Sequence, residues 1–315
     1  MNKFMLVALA VTGVLASAQA ETYSYAIADQ SITNTASGGS INTAGATGAA
    51  RAFYVTGSWS AIAGDPWSNE FRGQLPGVTD VGGGFLDRSM GGATNGNAFS
   101  FVGPDTSTWN NNITNPTLRG AAGHLADGAL TMGGSVNYAL RQTFAGSSAS
   151  ITGASFHFLT DIVAPQSVVI DGSSPTMAAR PNSLTGTTTG VFGYTTHTFT
   201  AQESGIHHFG LYSGGVDAYL LAYNGAFDPN SVLTNIIGAD DDSELGIVSF
   251  SDSSMFLTLT QGQSVTLVSS TFDANEVLPN GTLTIAGPAA VPEPFSMVAM
   301  GAGLLALARR RRNAK

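Results

Sequence analysis

Short runs of alternating apolar and polar residues dominate the chain from residue 21 to about residue 288. In the clearest run, Met255, Leu257 and Leu259 alternate with Phe256 and Thr258. Because successive side chains of a strand point to opposite faces, this two-residue period predicts a strand. No segment keeps the 3.6-residue period of an amphipathic helix. We therefore expect an all-β body of the sandwich or barrel type.

Turn-forming residues divide the remaining runs. A Gln-Gly-Gln sequence at residues 261–263 predicts a turn into a return strand, and Asn280-Gly281 predicts another turn before the last strand. The Gly- and Asn-rich segments 36–50 and 82–96 predict long loops. The other predicted strands are residues 149–159, 166–170, 195–200, 205–212 and 218–223.

A polar segment with two prolines, residues 171–190, predicts a domain boundary. We expect a Gly/Asn-rich β domain over residues 21–185 and a β-sandwich over residues 186–288, where the strands are more regularly spaced. The expected fold is two β-sandwich-like modules, flanked by an N-terminal signal helix and a C-terminal short hydrophobic helix.

Residues 1–20 have the three parts of a signal peptide. Lys3 precedes an apolar run at residues 4–16, and Ala18-Gln19-Ala20 has the A-x-A form that signal peptidase accepts. The apolar run is too short to span a bilayer comfortably. We expect cleavage after Ala20; a buried N-terminal helix is the alternative.

Residues 289–315 also have three parts. A Pro-rich motif, in which the prolines favour an extended backbone, precedes the apolar residues 295–308. These 14 residues predict a helix that can enter a membrane, although a permanent span needs about 20. By the positive-inside rule, the arginines that follow stay on the cytoplasmic side. The motif is Val291, Pro292, Glu293 and Pro294, and the arginines are Arg309, Arg310, Arg311 and Arg312.

This order of motif, short helix and basic cluster closely resembles the PEP-CTERM sorting signal. The resemblance implies that an exosortase, a membrane protease of Gram-negative bacteria, processes the chain near Pro292-Glu293-Pro294 after export across the inner membrane. It also implies an association with biofilm and exopolysaccharide. It covers about 25 residues, and concerns the destination of the protein rather than the activity of its body. An ordinary tail anchor is the alternative.

Four short motifs follow one another in the second predicted domain: VDAYLLAY at residues 216–223, FDP at 227–229, DDD at 240–242 and GTLTI at 281–285. Together they look like the pre-peptidase C-terminal-like β-sandwich domains of secreted bacterial proteins. The sequence VTLV at residues 265–268 departs from the double tyrosine that is common there. The resemblance implies a non-catalytic module, in some members stabilised by Ca²⁺ or able to bind polysaccharide.

The composition excludes several classes of function. The 315-residue chain has no cysteine, which rules out disulfides, thiolate metal sites and thiol nucleophiles. Its net charge is −9, but residues 21–291 hold six arginines, no lysine and 20 acidic residues, a formal charge of −14. Because phosphate binding needs clustered Lys and Arg, nucleic acid is excluded as a partner.

One acidic segment is a candidate metal site. Asp240, Asp241 and Asp242 are consecutive and Glu244 is close by; the family resemblance implies that Asp217 approaches from a neighbouring strand. Ca²⁺ takes six to eight oxygen ligands, which such a loop can supply. The segment is not an EF-hand, and a solvated acidic turn is the alternative. No other cofactor is expected.

No catalytic motif is present, and we expect that the protein is not an enzyme; a secreted enzyme with an unrecognised pair of carboxylates is a third alternative. The chain lacks a G-x-S-x-G elbow, a P-loop and a dinucleotide fingerprint. His207 and His208 are adjacent on a predicted strand and face opposite sides, so they cannot easily share a metal. We expect each histidine to be a half-buried or surface residue; the other three are His124, His157 and His197.

Trp59, Trp67 and Trp109 all lie in the first predicted domain, among polar residues. An aromatic ring beside amides and carboxylates can stack on a sugar, whereas burial in the sandwich core is the alternative. Taken together, these features predict an exported, exosortase-processed surface or matrix protein with a structural or adhesive role. The alternative is a secreted carbohydrate-binding protein that uses the three tryptophans.

Overall fold

The computed structural model describes residues 22–35, 37–63, 71–75, 88–89, 99–100, 122–124, 130–142, 145–146, 148–182, 184–240 and 251–288. Within these residues the chain is all-β and contains no helix, which confirms the predicted fold class. The strands before residue 161 are β1 Thr22–Ala26, β2 Gln30–Ile32, β3 Ser37–Asn42, β4 Ala49–Ala63, β5 Phe71–Gln74, β6 Arg88–Ser89, β7 Phe99–Ser100, β8 Ala122–His124, β9 Leu130–Thr131, β10 Ser135–Gln142 and β11 Ser148–Thr160. The later strands are β12 Gln166–Ile170, β13 Thr176–Pro181, β14 Thr187–Thr200, β15 Gly205–Tyr212, β16 Ala218–Asn224, β17 Ile236–Asp240, β18 Ser253–Leu259, β19 Ser264–Thr271 and β20 Leu278–Ala286.

In the described part of the chain these strands form four antiparallel sheets. Sheet 1 is built on the long pair β11 and β4, with β1 and β2 beside β11 and with β7, β8 and β9 beside β4. Sheet 2 has the order β3-β10-β5-β6. Sheet 3 has the order β12-β20-β15-β18, and sheet 4 has the order β13-β14-β19-β16-β17.

Sheets 1 and 2 enclose the first hydrophobic core and form the first module. Phe53, Phe156 and Phe158 of sheet 1 are fully buried there and share a cluster with Val136 and Tyr138 of sheet 2. The ring centres of Tyr138 and Phe156 are 5.1 Å apart. This contact between the two sheets is the aromatic packing expected of a sandwich interior.

Sheets 3 and 4 enclose the second core and form the second module. Met255, Leu257 and Leu259 of β18 share one face and pack in this core, as the alternation predicts, together with Leu220 and Leu267 of sheet 4. Phe256, on the opposite face of the same strand, belongs to a different cluster. The two-residue period therefore identifies the inward face correctly.

The chain passes from the first module to the second between residues 160 and 166, earlier than the predicted boundary at residues 171–190. β12 pairs with β20 and β13 pairs with β14, so both strands belong to the second module. The polar boundary segment forms β13 and the start of β14. Its exposed Thr and Ser residues reflect a strand at the edge of a sheet rather than a linker.

Two other predicted connections are strands. Residues 36–50, expected to be a loop, contain β3 and the start of β4, and residues 88–89 of the other expected loop form β6. Asn280-Gly281 does not turn the chain but lies inside β20. A Cβ on Gly281 would lie 3.0 Å from the carbonyl oxygen of Val168, so glycine here permits close pairing with β12.

The outer face of sheet 1 packs against the outer face of sheet 3. Ala52, Tyr54 and Leu159 of the first module form one buried cluster with Ile206 and Phe256 of the second. We call the region around this buried cluster, where the two modules meet, the junction. It places the four sheets in the order 2, 1, 3, 4.

Candidate functional site

A buried arginine lies in the junction. Ala52 of β4 faces Leu159, and Ala50 faces the next residue, Thr160, so Arg51 is an extra residue in β4. A bulge of this kind changes the direction of a side chain. Here it lets Arg51 reach Asp161, in the connection between the modules.

Arg51 binds Asp161 through two parallel hydrogen bonds, from Nε to Oδ1 at 3.0 Å and from Nη2 to Oδ2 at 2.6 Å. Its guanidinium carbon lies 5.8 Å from the ring centre of Tyr212 in β15. Burial lowers the pKa of Arg51, but the hydrogen bond to Asp161 and the negative charge of Asp161 raise it above its ordinary value overall. Burial raises the pKa of Tyr212 to about 12. Arg51 therefore stays charged and Tyr212 stays neutral at physiological pH.

The connection between the modules is itself bonded into sheet 3. The amide of Ile162 donates to the carbonyl of Ile285 at 2.9 Å, and the amide of Gly287 donates to the carbonyl of Thr160 at 3.2 Å. Asp161 forms a β-bridge with Ala286. Domains move relative to one another unless such an interface holds them, so these contacts favour one fixed orientation of the two modules.

A histidine on the same face of sheet 1 lies among hydroxyl groups. His157 shares a 2.7 Å hydrogen bond with Ser24 through Nδ1 and another 2.7 Å bond with Thr56 through Nε2. Its ring stacks on Tyr54 with 4.5 Å between centres. Burial lowers the pKa of His157 to about 4 and raises that of Tyr54 to about 12. His157 is therefore mostly neutral near physiological pH.

The predicted metal residues are only partly within the described chain. Asp217 directly precedes β16 and Asp240 ends β17, opposite Leu220 of β16, so both lie at one end of sheet 4. One oxygen of Asp240, Oδ2, accepts the backbone N–H of Ser254 at 2.8 Å. Asp241, Asp242 and Glu244 lie outside the described residues.

Sequence reasoning missed a third aspartate at this end of the second module. Asp252 is buried, and its Oδ1 accepts the backbone N–H of Ser213 at 2.6 Å and the Ser213 hydroxyl at 3.0 Å. The only sequence feature that could have pointed to Asp252 is its position just before a predicted strand. Within the described ranges, no three His, Cys, Asp or Glu side chains come together as a metal site.

The expectation for two of the histidines is wrong. His207 and His208 are fully buried rather than half-buried or at the surface. They do face opposite sides of β15: His207 packs with Phe199 in the second core, whereas His208 lies 4.8 Å from Phe256 at the junction. β15 lies inside sheet 3 and is covered on both faces, so neither position reaches solvent. Burial lowers the pKa of His207.

The remaining predicted sites fall largely outside the described residues. Trp59 lies in β4, with Ile151 and Phe99 as backbone neighbours, but its side chain is outside the described part, as are Trp67 and Trp109. The same holds for the signal peptidase site at Ala18 and Ala20 and for everything after residue 288. Among the residues that the structure describes, no helix has the length and apolar character needed to cross a membrane.

Residues 290–312 match a family model, the PEP-CTERM protein-sorting motif. The chain carries a PEP-CTERM motif. This motif implies an exported protein that an exosortase processes, at the surface of or outside a Gram-negative bacterium. The further resemblance to pre-peptidase C-terminal-like domains stays a prediction. No curated protein matches the chain.

Three solved structures are distantly similar in shape. A tandem CBM22-1–CBM22-2 domain from Paenibacillus barcinonensis Xyn10C is 9% identical with a TM-score of 0.24, over 86% of this chain and 98% of that one. Dimeric latent PorU from Porphyromonas gingivalis is 8% identical with a TM-score of 0.23, over 88% and 22%. Tripeptidyl peptidase 2 is 9% identical with a TM-score of 0.22, over 88% and 27%. At these scores none of the three bears on function.

Proposed function

We propose that this PEP-CTERM protein is a structural or adhesive component of the bacterial surface or extracellular matrix, associated with biofilm or exopolysaccharide. The observation that carries the proposal is the sorting motif at residues 290–312, which follows an all-β body. Because the body has no cysteine, the exported protein holds its fold without disulfides.

The junction supports a mechanical role. The bidentate bond from Arg51 to Asp161 and the strand pairing of the connection fix one module against the other. A fixed orientation keeps the two modules of the double sandwich at a constant separation. That property is useful in a spacer or adhesin, and it is not the hinged cleft common in enzymes.

The export route follows from the two ends of the chain. Signal peptidase cleaves after Ala20, residues 295–308 enter the inner membrane for a time, and the four arginines hold the far end inside. Exosortase then acts near Pro292-Glu293-Pro294. Acidic residues in the body and basic residues in the removed ends agree with this division.

The sorting step is tested with Pro292→Ala/Glu293→Ala/Pro294→Ala in the producing bacterium, with Glu203→Ala as a control outside the motif. We expect the wild type and the control outside the inner membrane, and the mass of their mature form to show a cut near the motif. The triple variant should remain uncut in the inner membrane fraction, and matrix mass should fall. Equal cleavage and equal distribution of all three proteins contradict the proposal.

Calcium is the cofactor we propose for the acidic end of the second module. Asp217 and Asp240 lie at the same end of sheet 4, beside the segment with Asp241 and Asp242. Ca²⁺ should raise the melting temperature relative to chelator, and Asp241→Asn/Asp242→Asn should abolish that rise. Asp171→Asn, in an exposed turn elsewhere, is the matched control. An unchanged melting temperature for the wild type removes calcium from the proposal.

The polysaccharide partner has its own test. If the first module binds matrix glycan through its tryptophans, purified protein should be retained on the exopolysaccharide of the producing strain. Trp59→Ala, Trp67→Ala and Trp109→Ala should each reduce retention, because the apolar faces of sugar rings stack on exposed aromatic rings. Tyr194→Phe, in the second module, is the control. Absence of retention by the wild type excludes direct glycan binding and leaves a purely structural role.

A further inference from the structure

One strand of sheet 4 is an edge strand for only half of its length. β14 pairs with β13 over residues 187–193, and on its other side it pairs with β19 over residues 194–200. Among the described residues, no strand lies on the β13 side of residues 195–200. Within the described strands, sheet 4 therefore has an open edge six residues long.

The backbone groups that face this open edge can be identified. The amide of Tyr194 points toward β13, because it donates to the carbonyl of Pro175 at 3.0 Å, and the amide of Ala201 points toward β19, because it donates to Gln263 at 2.9 Å. Backbone groups alternate in direction along a strand. The N–H and C=O groups of Thr196, Thr198 and Thr200 therefore point to the open edge, and these three threonines are the exposed residues of the segment.

The open edge lacks the features that usually protect edges. β14 contains no charged residue and no proline, and its seven pairs with β19 have no register shift. Three other edge strands of the second module differ. β12 and β13 are irregular at residues 168–170 and 177–179, β13 ends in Pro181, and β17 has only five residues. The fourth edge strand, β18, is also regular and uncharged, but six of its seven residues are buried. A regular, uncharged edge rich in β-branched residues leaves backbone N–H and C=O groups free to pair with another strand.

We propose that Thr195–Thr200 pairs antiparallel with the same segment of a second copy, about a two-fold axis at Thr198. This register places Thr198 opposite Thr198 and Thr196 opposite Thr200, so each outward-facing group meets another. About six backbone hydrogen bonds result, since each such pair exchanges two. A register centred on His197 would instead require the amide of Tyr194, which Pro175 already occupies.

Three observations select a second copy as the occupant. The edge is self-complementary in this register, it carries no charge for a basic or acidic peptide to match, and its exposed side chains form cross-strand Thr–Thr pairs, which are favourable. The pairing joins two copies of sheet 4 into one continuous sheet with closed symmetry. The inference goes beyond the proposed function, because a monomer can equally serve as a matrix component.

The absence of cysteine gives a direct test of the two-fold axis. In the mature protein purified after export, Thr198→Cys introduces one thiol at the axis, where facing Cα atoms are about 5.5 Å apart, a distance that a disulfide spans. Thr189→Cys is the matched control, because this exposed threonine already faces Ala179 of β13. We expect rapid covalent dimers from Thr198→Cys only. No cross-linking, or equal cross-linking of both variants, overturns the proposal.

A second measurement does not depend on oxidation. The wild type should dimerise reversibly in sedimentation, Thr198→Lys should weaken the dimer roughly tenfold or more because two like charges meet at the axis, and Thr189→Lys should not. Both lysines replace exposed side chains, so circular dichroism should confirm intact folds. A wild type that stays monomeric at all concentrations, or equal effects of the two lysines, overturns the proposal whether or not the sorting test succeeds.

Discussion

Among the side chains that the structure describes, two arginines are buried, and they are buried in different ways. Arg51 lies at the junction, where Asp161 accepts two of its hydrogen bonds. Arg180 lies on the outer face of sheet 4, where its guanidinium carbon is 3.5 Å from the ring centre of Tyr219 and 5.2 Å and 5.0 Å from those of Phe192 and Phe272. The first arginine joins two modules through a carboxylate, and the second covers one sheet through aromatic rings.

This difference shows what each region does. Two of the rings around Arg180 belong to a separate hydrophobic cluster that closes the outer face of sheet 4; its other members include Tyr223, Val232 and Val268. The planar guanidinium suits this place because it stacks on rings and is weakly hydrated. At the junction, a directional bond matters more, since it fixes an orientation. Substitutions at the two arginines should therefore produce different unfolding behaviour.

The largest effect is expected from Arg180→Ala. Arg180 is 2% exposed, so truncation removes its ring contacts and leaves a cavity, which should lower the free energy of unfolding of the second module by about 3 kcal/mol. All three tryptophans precede the second module in the chain, so we use their fluorescence to follow the first module and calorimetry to follow both. We expect the second module to melt earlier while the tryptophan transition stays in place.

Arg180→Lys sharpens this test, because it keeps the charge and loses the planar stacking. An intermediate loss, of about 1–2 kcal/mol, is expected. Thr188→Ala, an exposed position on β14, is the control and should change little. A wild-type melting curve for Arg180→Ala would show that the outer-face cluster does not stabilise the module.

The next effect concerns the junction. Asp161→Asn leaves Arg51 charged and buried without its carboxylate, which should cost about 2 kcal/mol, less than for a fully buried pair because Asp161 is 27% exposed. Because the pair joins the modules, we expect the tryptophan transition and the calorimetric transition to separate. Arg51→Met/Asp161→Asn removes both charges and should recover part of the loss. A double variant less stable than the single one contradicts this account.

The sequence predicts the second module better than the junction. The alternation of apolar and polar residues locates β12 at residues 166–170. It also places Phe256 and Met255 on different faces of β18, because each strand there has one face in a continuous core. It misses the role of Arg51, because a bulge depends on how two strands and a neighbouring module fit together. The same reason explains Gly281, whose neighbour Val168 is 113 residues away in the chain but adjacent in space.

The candidate sites divide in a similar way. The sorting motif is readable because proline, a short apolar run and arginine act locally, without a fold. Asp252 and His208 are not readable as buried groups, because their burial comes from strands that the sequence does not show to be neighbours. Local chemistry is therefore predictable here, and contacts between sheets are not.

A pH effect should distinguish the two arginine sites, because histidine titrates beside the junction and the Arg180 cluster contains none. The pKa of His157 is about 4 when folded and 6.5 in its ordinary state, so the unfolded chain binds the proton first as the pH falls. Stability is complete above pH 6.5 and is lost toward pH 4, by about 1–2 kcal/mol after allowance for partial exposure.

His157→Gln is the variant that checks this effect, because it keeps hydrogen-bonding groups and does not titrate. Its tryptophan transition should depend less on pH between 4 and 6.5 than that of the wild type. His207 and His197, whose pKa values burial also lowers, lie in the second module and should leave a residual slope in calorimetry. Identical pH profiles for the variant and the wild type, read by tryptophan fluorescence, contradict the assignment.

The smallest effect is expected within the cluster around Arg180. The hydroxyl of Tyr223 donates to the carbonyl of Val232 at 2.8 Å in a buried setting, and this bond holds the segment after β16 over the face of sheet 4. Tyr223→Phe removes the donor and should lower the free energy of unfolding by about 1 kcal/mol, the usual net value of a buried hydrogen bond. Tyr194→Phe, a half-exposed ring that contacts Phe227 edge-on, is the control and should change stability little. If both variants lower the free energy of unfolding equally, the hydroxyl bond does not hold this segment. Ring packing then holds it, as ring contacts hold Arg180.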